Sequence, residues 1–253
     1  MKKLSVITIN YNDAAGLEKT VASVVGQAWK EFEYIVIDGG STDGSAAVLE
    51  KYRDRIDICI SEKDQGIYDA QNKGLKKASG EYCLFLNSGD YLVNDAVLKD
   101  AFSIPFSEDI VYGNMIIDWG PNQTLGRMPD TVTFGQLYHD TIWHPVSFIK
   151  RALLDELGGY NQSYRMVADY EFFFHALIIR NASSRHIDLP ISVYNTQGLS
   201  SDPKRKEQEK AERRRVLSSY LPPKLVEFLE KEIKEEKKTN TSIGGFLRSV
   251  FKS

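Results

Sequence analysis

The sequence predicts an α/β fold: a mostly parallel sheet flanked by helices, followed by a charged helical extension at the C-terminus. Through the first hundred residues, short β-branched runs alternate with segments whose apolar residues recur at helical spacing, as in successive βαβ units. From Asp202 to Lys238 the chain turns to Lys, Arg and Glu, broken by Pro222 and Pro223, as in two solvated helices rather than more core. With 253 residues, 42% of them hydrophobic, it is long enough for one large domain and an appendage. The expected partition is a main domain at 1–200, with halves at about 1–90 and 91–200, and an extension at 201–253.

Leu4 to Ile9 reads as the first strand. Asn12 and Asp13 can cap the helix that follows, whose Leu17, Val21, Val24 and Val25 share one face. The second strand is Tyr34 to Asp38. Ser41 and Asp43 then offer caps for a helix with Val48, Leu49 and Tyr52 as its stripe, and Ile56 to Ile60 is the third strand. A third crossover helix runs from Ile67 to about Ala78, with Gly80 closing it, and the fourth strand is Tyr82 to Leu86. Such crossovers are right-handed. Beyond Asp90 the pattern loosens. It allows a helix near Asp95 to Phe102, a strand at Ile110 to Tyr112, a loop at Gly120-Pro121-Asn122, a turn at Asp155 to Ser163, an apolar helix from Asp169 through Ile178, and a strand at Ile191 to Tyr194.

Lys plus Arg number 32 against 35 Asp plus Glu, a net charge of -3, which provides no basic field for gripping nucleic acid. Cys59 and Cys83 each sit in an apolar run and are expected as two buried thiols, not a disulfide framework. No apolar stretch has the length of a membrane span, and Leu4 to Ile9 is too short for a signal-peptide core, so a cytoplasmic protein is expected.

In an open parallel sheet, ligands bind beyond the carboxyl ends of the strands. Those ends are polar here: Asn10-Tyr11-Asn12-Asp13, Asp38-Gly39-Gly40-Ser41-Thr42-Asp43-Gly44, Glu62-Lys63-Asp64-Gln65-Gly66 and Asn87-Ser88-Gly89-Asp90. Any one such cluster is ordinary turn chemistry, whereas four on one edge point to a site. The first lacks both the Gly-x-Gly-x-x-Gly turn of dinucleotide binders and the glycine-rich turn ending in Lys-Ser or Lys-Thr of a P-loop. Asn10, Tyr11 and Asn12 offer instead an aromatic face and amides, suited to stacking on a nucleobase and bonding its edge, while Asp38 can accept from a base or ribose. Positive charge for a diphosphate must then come from elsewhere, and Asp90 is placed to hold a divalent cation.

Asp38-Gly-Gly-Ser-Thr-Asp-Gly, Asp64-Gln-Gly-Ile-Tyr-Asp-Ala-Gln-Asn-Lys-Gly and Phe85-Leu-Asn-Ser-Gly-Asp together resemble the family 2 glycosyltransferases of the GT-A fold, a Rossmann-like architecture, and among them the bacterial capsule and exopolysaccharide enzymes of the colanic-acid type. The resemblance covers roughly Met1 to Tyr194. It implies transfer of a sugar, with inversion, from a nucleoside-diphosphate sugar to a glycan or lipid-linked acceptor. It also implies donor contacts from Thr8, Asn10, Tyr11, Asn12, Asp38, Asp69, Asn72 and Ser88, with Mg²⁺ or Mn²⁺ at Asp90. Ser88 stands where the first acid of the metal-binding triplet usually lies, and Gln71 where many relatives carry an arginine. Ala168-Asp169-Tyr170-Glu171-Phe172 resembles the segment that supplies the catalytic base; with Ala168 in place of its first acid, the role falls to Asp169. A base on the acceptor side is what an inverting displacement requires. His144, in Trp143-His144-Pro145, matches a polar position near donor or acceptor and is the second catalytic candidate.

Asp169 also suits a helix cap, and Trp29, Trp119 and Tyr160 are expected to pack, although Trp119 lies in a loop suited to acceptor contacts. Glu171 is expected to face solvent. His139, His175 and His186 lack zinc-ligand spacing. A sugar-phosphate nucleotidylyltransferase would need a glycine-rich basic loop after the first strand, which is absent; a non-catalytic nucleotide-sugar-binding subunit of a synthesis complex is the alternative reading. In the tail, Ile243, Phe246, Leu247, Val250 and Phe251 fall on one helical face beside Arg248 and Lys252, a pattern for peripheral inner-membrane contact, for packing or for dimerisation.

Overall fold

A computed structural model describes residues 2–196 and 205–232. The chain divides into two compact units, Met1–Glu209 and Lys210–Ser253. In the first, β1 (Leu4–Asn10), β2 (Phe32–Asp38), β3 (Ile58–Ser61) and β4 (Tyr82–Phe85) pair in parallel in the order β3-β2-β1-β4. The crossovers are α1 (Ala14–Val25), α2 (Ser45–Lys51) and α3 (Ile67–Leu75). Because strand side chains alternate between faces, Leu4, Val6, Tyr34 and Val36 join one core with Leu17, Val21 and Val24 of α1. Ile7 and Ile37 point the other way, where a Cβ on Gly74 of α3 would stand 2.4 Å from Ile7.

The second half of the unit extends the same sheet. It comprises β5 (Tyr91–Leu92), α4 (Val97–Phe102), β6 (Ile110–Asp118), β7 (Gln123–Gly126), α5 (Phe134–His139), β8 (Ser147–Lys150), α6 (Arg151–Leu157), α7 (Ala168–Phe174) and β9 (Ser184–Asn195), with α7 running on as a π-helical turn over His175–Ile179. The strand order continues β4-β8-β6-β9-β5, with β7 on β6. Only β6 and β9 pair in parallel here; β4/β8, β8/β6, β9/β5 and β6/β7 are antiparallel.

Several local expectations change. β6 and β9 outrun the runs expected at Ile110 to Tyr112 and Ile191 to Tyr194 because they pair along their lengths, through a register shift between Tyr112 and Asn114. Gly120-Pro121-Asn122 is the turn of a β6/β7 hairpin, where the Trp119 N–H donates to Asn122 O (2.9 Å). The turn expected from Asp155 starts only at Gly158, in the left-handed region at φ 79°, since α6 occupies Arg151–Leu157 with buried Leu153 and Leu154. α3 ends at Leu75, so Gly80 is not its terminator. Gly80 allows backbone approach instead: a Cβ there would lie 2.6 Å from Leu4 C and Ser5 N. Of the two thiols, Cys83 is buried and Cys59 exposed, because β3 is the edge strand and Cys59 alternates outward. Glu171 is buried on α7 rather than facing solvent.

α8 (Lys206–Tyr220) carries the charged segment across the boundary of the units, and a helix over 223–232 follows Pro222. Among the described residues no helix is long and apolar enough to cross a membrane. The stripe from Ile243 to Phe251 lies outside the described residues.

The α3 packing yields a first prediction. Gly74→Ala forces a methyl into Ile7 and should destabilise by about 1–3 kcal/mol, the usual cost of overpacking a filled core. Urea unfolding measures it; an unchanged midpoint would show that α3 can lift off β1 without cost.

Candidate active site

The carboxyl ends of β1, β2 and β3 close around Asp38. Its side chain is only 2% exposed, and a buried carboxylate needs compensating donors. It has four: Asn10 Nδ2 (2.8 Å) and Ser41 Oγ (2.5 Å) donate to Oδ1, while the Ser41 N–H (3.0 Å) and Ser61 Oγ (2.6 Å) donate to Oδ2. Burial raises its pKa, and the hydroxyl, amide and N–H donors outweigh burial, leaving it below the ordinary value. Asn12, at φ 51°, is wired into the same loop; its Oδ1 accepts from the Thr42 N–H (2.8 Å) and its N–H donates to Ser41 Oγ (2.8 Å). Tyr11, between these two tied residues, is 66% exposed.

The Ser88-Gly89-Asp90 turn is pinned from two sides. Thr20 of α1 donates to Asp90 O (2.6 Å) and accepts from the Gly89 N–H (3.0 Å), and the Asn195 N–H of β9 donates to Asp90 Oδ1 (3.0 Å). Ser88 Oγ donates to Asp13 Oδ2 (3.2 Å), which brings that acid, the N-cap of α1, to the triplet. Burial pushes the Asp90 carboxyl up to about 7, against the pull of the Asn195 N–H and the charge of His144. A buried, under-compensated carboxylate is the chemistry that a divalent cation relieves. Among the described residues no group of three or more His, Cys, Asp or Glu converges on a metal position; a cation held at Asp90 would take its remaining ligands from a diphosphate and water.

A third cluster joins the two halves of the sheet. His144 Nδ1 lies 3.2 Å from Asp169 Oδ2, and Nε2 lies 3.1 Å from Asn87 Nδ2. Asn87 Oδ1 accepts from Gln71 Nε2 (3.1 Å), and the Tyr68 hydroxyl donates to Asp169 Oδ1 (3.2 Å). With Asn87 Oδ1 taken by Gln71, its Nδ2 faces His144 Nε2, so a neutral imidazole carries its proton on Nδ1; in either charge state Nδ1 is the donor to Asp169. Burial raises the Asp169 pKa, and the hydrogen bond and charge of His144 more than offset it, so the group sits below its ordinary value. The fold explains the meeting. β8 runs antiparallel to β4, with Tyr82 opposite Lys150, so the start of β8 lies at the carboxyl end of β4, and His144 just before β8 meets Asn87 just after β4.

The expected site residues thus separate by placement. Asp169, His144, Asp90, Ser88, Tyr11, Asn12, Asn10 and Asp38 all gather at the carboxyl edge. Thr8 does not reach it: the residue is fully buried and its hydroxyl accepts from Tyr34 OH (3.0 Å). Asn72 is spent on the backbone of Tyr160, donating to its O (2.7 Å) and accepting from its N–H (2.8 Å). Asp69 accepts from the Gln65 N–H (3.0 Å) and shapes the loop ahead of α3. Asp169 lies inside the first turn of α7, following the N-cap residue Val167 and the N1 residue Ala168. Asn87, Gln71, Tyr68 and Thr20 stand outside the site residues that the resemblance implies; Asn87 lies in a polar strand-end cluster and Gln71 in a motif, whereas a Thr on the apolar face of a helix or a Tyr in a helical first turn announces nothing.

Comparison with known proteins places the chain in a family. Residues 5–129 match the model of "Glycosyl transferase family 2". A "PGL/p-HBAD biosynthesis glycosyltransferase" of Mycobacterium tuberculosis is 31% identical over 205 residues, covering 77% of each chain. The "Putative teichuronic acid biosynthesis glycosyltransferase TuaG" of Bacillus subtilis is 32% identical over 151 residues, 55% of this chain and 58% of that one. Among solved structures, S. aureus TarS 1-349 in complex with UDP-GlcNAc superposes with a TM-score of 0.64 at 25% identity, covering 76% of this chain; this chain in turn spans 58% of that one.

The raised pKa of Asp90 sets a pH dependence. Its folded value of about 7 exceeds the ordinary 3.8, so the folded state holds the extra proton and stability falls as pH rises through that window. Asp90→Asn removes the slope. In chelator-treated protein, the stability difference between variant and wild type should move in favour of the variant from pH 3 to pH 8, with a ceiling of about 4 kcal/mol. Urea titrations at both pH values check this, and equal differences at the two would show that Asp90 ionises without cost.

Proposed function

The chain belongs to glycosyl transferase family 2, and we propose that it is an inverting, metal-dependent enzyme that moves one sugar from a nucleoside-diphosphate sugar to a glycan or lipid-linked acceptor in surface polysaccharide synthesis. The observation that carries this reading is the hydrogen-bonded run from Tyr68 through Asp169, His144 and Asn87 to Gln71, which holds an ionised carboxylate at the same sheet edge as Asp90. The TarS complex with UDP-GlcNAc supports a nucleotide-sugar donor, and the relatives in PGL/p-HBAD and teichuronic acid synthesis support a surface-glycan product. A lipid-linked acceptor would bring the enzyme to the cytoplasmic face of the membrane.

In the proposed reaction the acceptor hydroxyl oxygen forms the new bond to the anomeric carbon as the bond to the donor diphosphate breaks. Asp169 takes the hydroxyl proton, and the electron pair of the broken bond leaves on the nucleoside diphosphate. His144 donates from Nδ1 to the Asp169 carboxylate, holding it in place and ionised, and Tyr68 holds the other oxygen. Asp90, with Ser88 beside it, is the position for Mg²⁺ or Mn²⁺, which when bound would draw off the charge of the leaving diphosphate. Tyr11 offers its exposed ring to the base.

Asp169→Asn should keep donor affinity and lower transfer by at least ~10²-fold, the usual loss on removing a general base. Nucleoside diphosphate release measures transfer and calorimetry measures binding; transfer within a few-fold of wild type would remove Asp169 from the mechanism. His144→Ala tests the pair separately. It deletes what holds the Asp169 pKa down against burial, so the acidic limb of the pH–rate profile should move to higher pH, whereas a histidine that only packs would lower the rate with the limb unmoved.

A further inference from the structure

The inference rests on the donor reading of the sheet edge and concerns how the nucleobase is read there. Asp38, the acid that ends β2, is poorly placed to do so, since all of its four bonds are made inside the protein. A second carboxylate reaches the same spot from the β3/α3 loop. If Gly39 carried a Cβ, that atom would stand 2.4 Å from Asp64 Oδ2 and 3.1 Å from Tyr11 Cδ2. The Asp64 carboxylate therefore lies against the bare backbone of Gly39, beside the exposed ring of Tyr11. Its Oδ1 accepts from the Gly66 N–H (2.9 Å), and among the described residues Oδ2 accepts no hydrogen bond. The surrounding backbone is tied down as well, with the Gly39 N–H on Asn10 O (2.8 Å) and the Glu62 N–H on Asp38 O (2.9 Å).

We infer that Asp64 is the residue that reads the edge of the donor's nucleobase: the base lies on the Tyr11 ring, its ring N–H donates to Asp64 Oδ2, and Gly39 is the clearance that lets the carboxylate in. A carboxylate oxygen accepts from the ring N–H of uracil, thymine or guanine, and it meets a lone pair at the corresponding ring nitrogen of cytosine or adenine. Asp64 is thus a specificity residue for the base, and Asp38 is the strut beneath it.

The test is calorimetric binding of UDP, dTDP, GDP, CDP and ADP, each with Mn²⁺, to the full chain. Wild type should favour one of UDP, dTDP or GDP over CDP and ADP by about tenfold or more, as expected for a hydrogen bond to a charged group. Asp64→Asn, whose amide both donates and accepts, should narrow that ratio to about threefold or less. Gly39→Ala should narrow it too with the carboxylate intact, because its methyl displaces Oδ2. Tyr11→Leu should weaken all five nucleotides with the ratio kept. Selectivity unchanged in Asp64→Asn, or a uniform loss across the panel, would overturn the inference while leaving the donor site standing. If wild type binds none of the five, the donor reading falls and the inference with it. Asp64→Asn decides the matter even if Gly39→Ala fails to fold, as thermal melting of each variant will reveal.

Discussion

A carboxylate buried at the end of a strand is the constraint on which the candidate donor pocket depends. Asp38 is sealed from water, so it is tolerable only with its oxygens fully hydrogen-bonded. Satisfying them draws in Asn10 from β1, the backbone and hydroxyl of Ser41 from the β2/α2 loop, and Ser61 from β3. Three loops are fixed relative to one another by the demand of one charge. Tyr11 and Asn12 are then carried outward on a turn with no freedom to fold back, since Asn12 is held at both its N–H and its side chain.

Asp90 is the electrostatic opposite, only a few residues beyond the end of β4. It too is buried, but its carboxylate receives one backbone N–H, and burial governs its pKa. The pair illustrates how one sheet edge makes two uses of aspartate. Where donors saturate the group, the charge is structural and stable; where they fall short, it is poised to gain from a cation. The anchoring of the Asp90 backbone by Thr20 lets that deficit persist, because the turn cannot relax to bring the side chain into solvent.

The mixed half of the sheet supplies what a purely parallel sheet would not. Placing β8 antiparallel to β4 delivers the segment before β8 to the carboxyl edge, where the segment after β4 also ends. His144 and Asn87 meet for that reason, and α7 brings Asp169 to the far side of the imidazole. Each member of the run holds its neighbour's proton or lone pair, so the orientation of the carboxylate is set by groups as remote as Gln71.

The sequence carries in plain view the first four strands, the crossover helices between them, the Asp13 cap and the gathering of acids and amides at the strand ends. These follow from periodicity and turn chemistry, which are relations between neighbours along the chain. It also contained the motifs through which the family could be named. Long-range contacts settle which side chains of this edge are hydrogen-bonded within the protein. Thr8 and Asn72 are expected donor contacts, yet their side chains are bonded to Tyr34 and to the backbone of Tyr160, while the Asp64 carboxylate packs where a Cβ on Gly39 would stand. The short strands β5, β7 and β8, and the burial of Glu171, were equally invisible, since each depends on partners that pairing supplies from far along the chain. Two of the four bonds to Asp38 come from Ser41, three residues on, and are local turn chemistry; the other two span 28 and 23 residues, and the bond to the Asp90 carboxylate spans 105. Burial and these long-range partnerships are properties of distant pairs, and no local pattern encodes them.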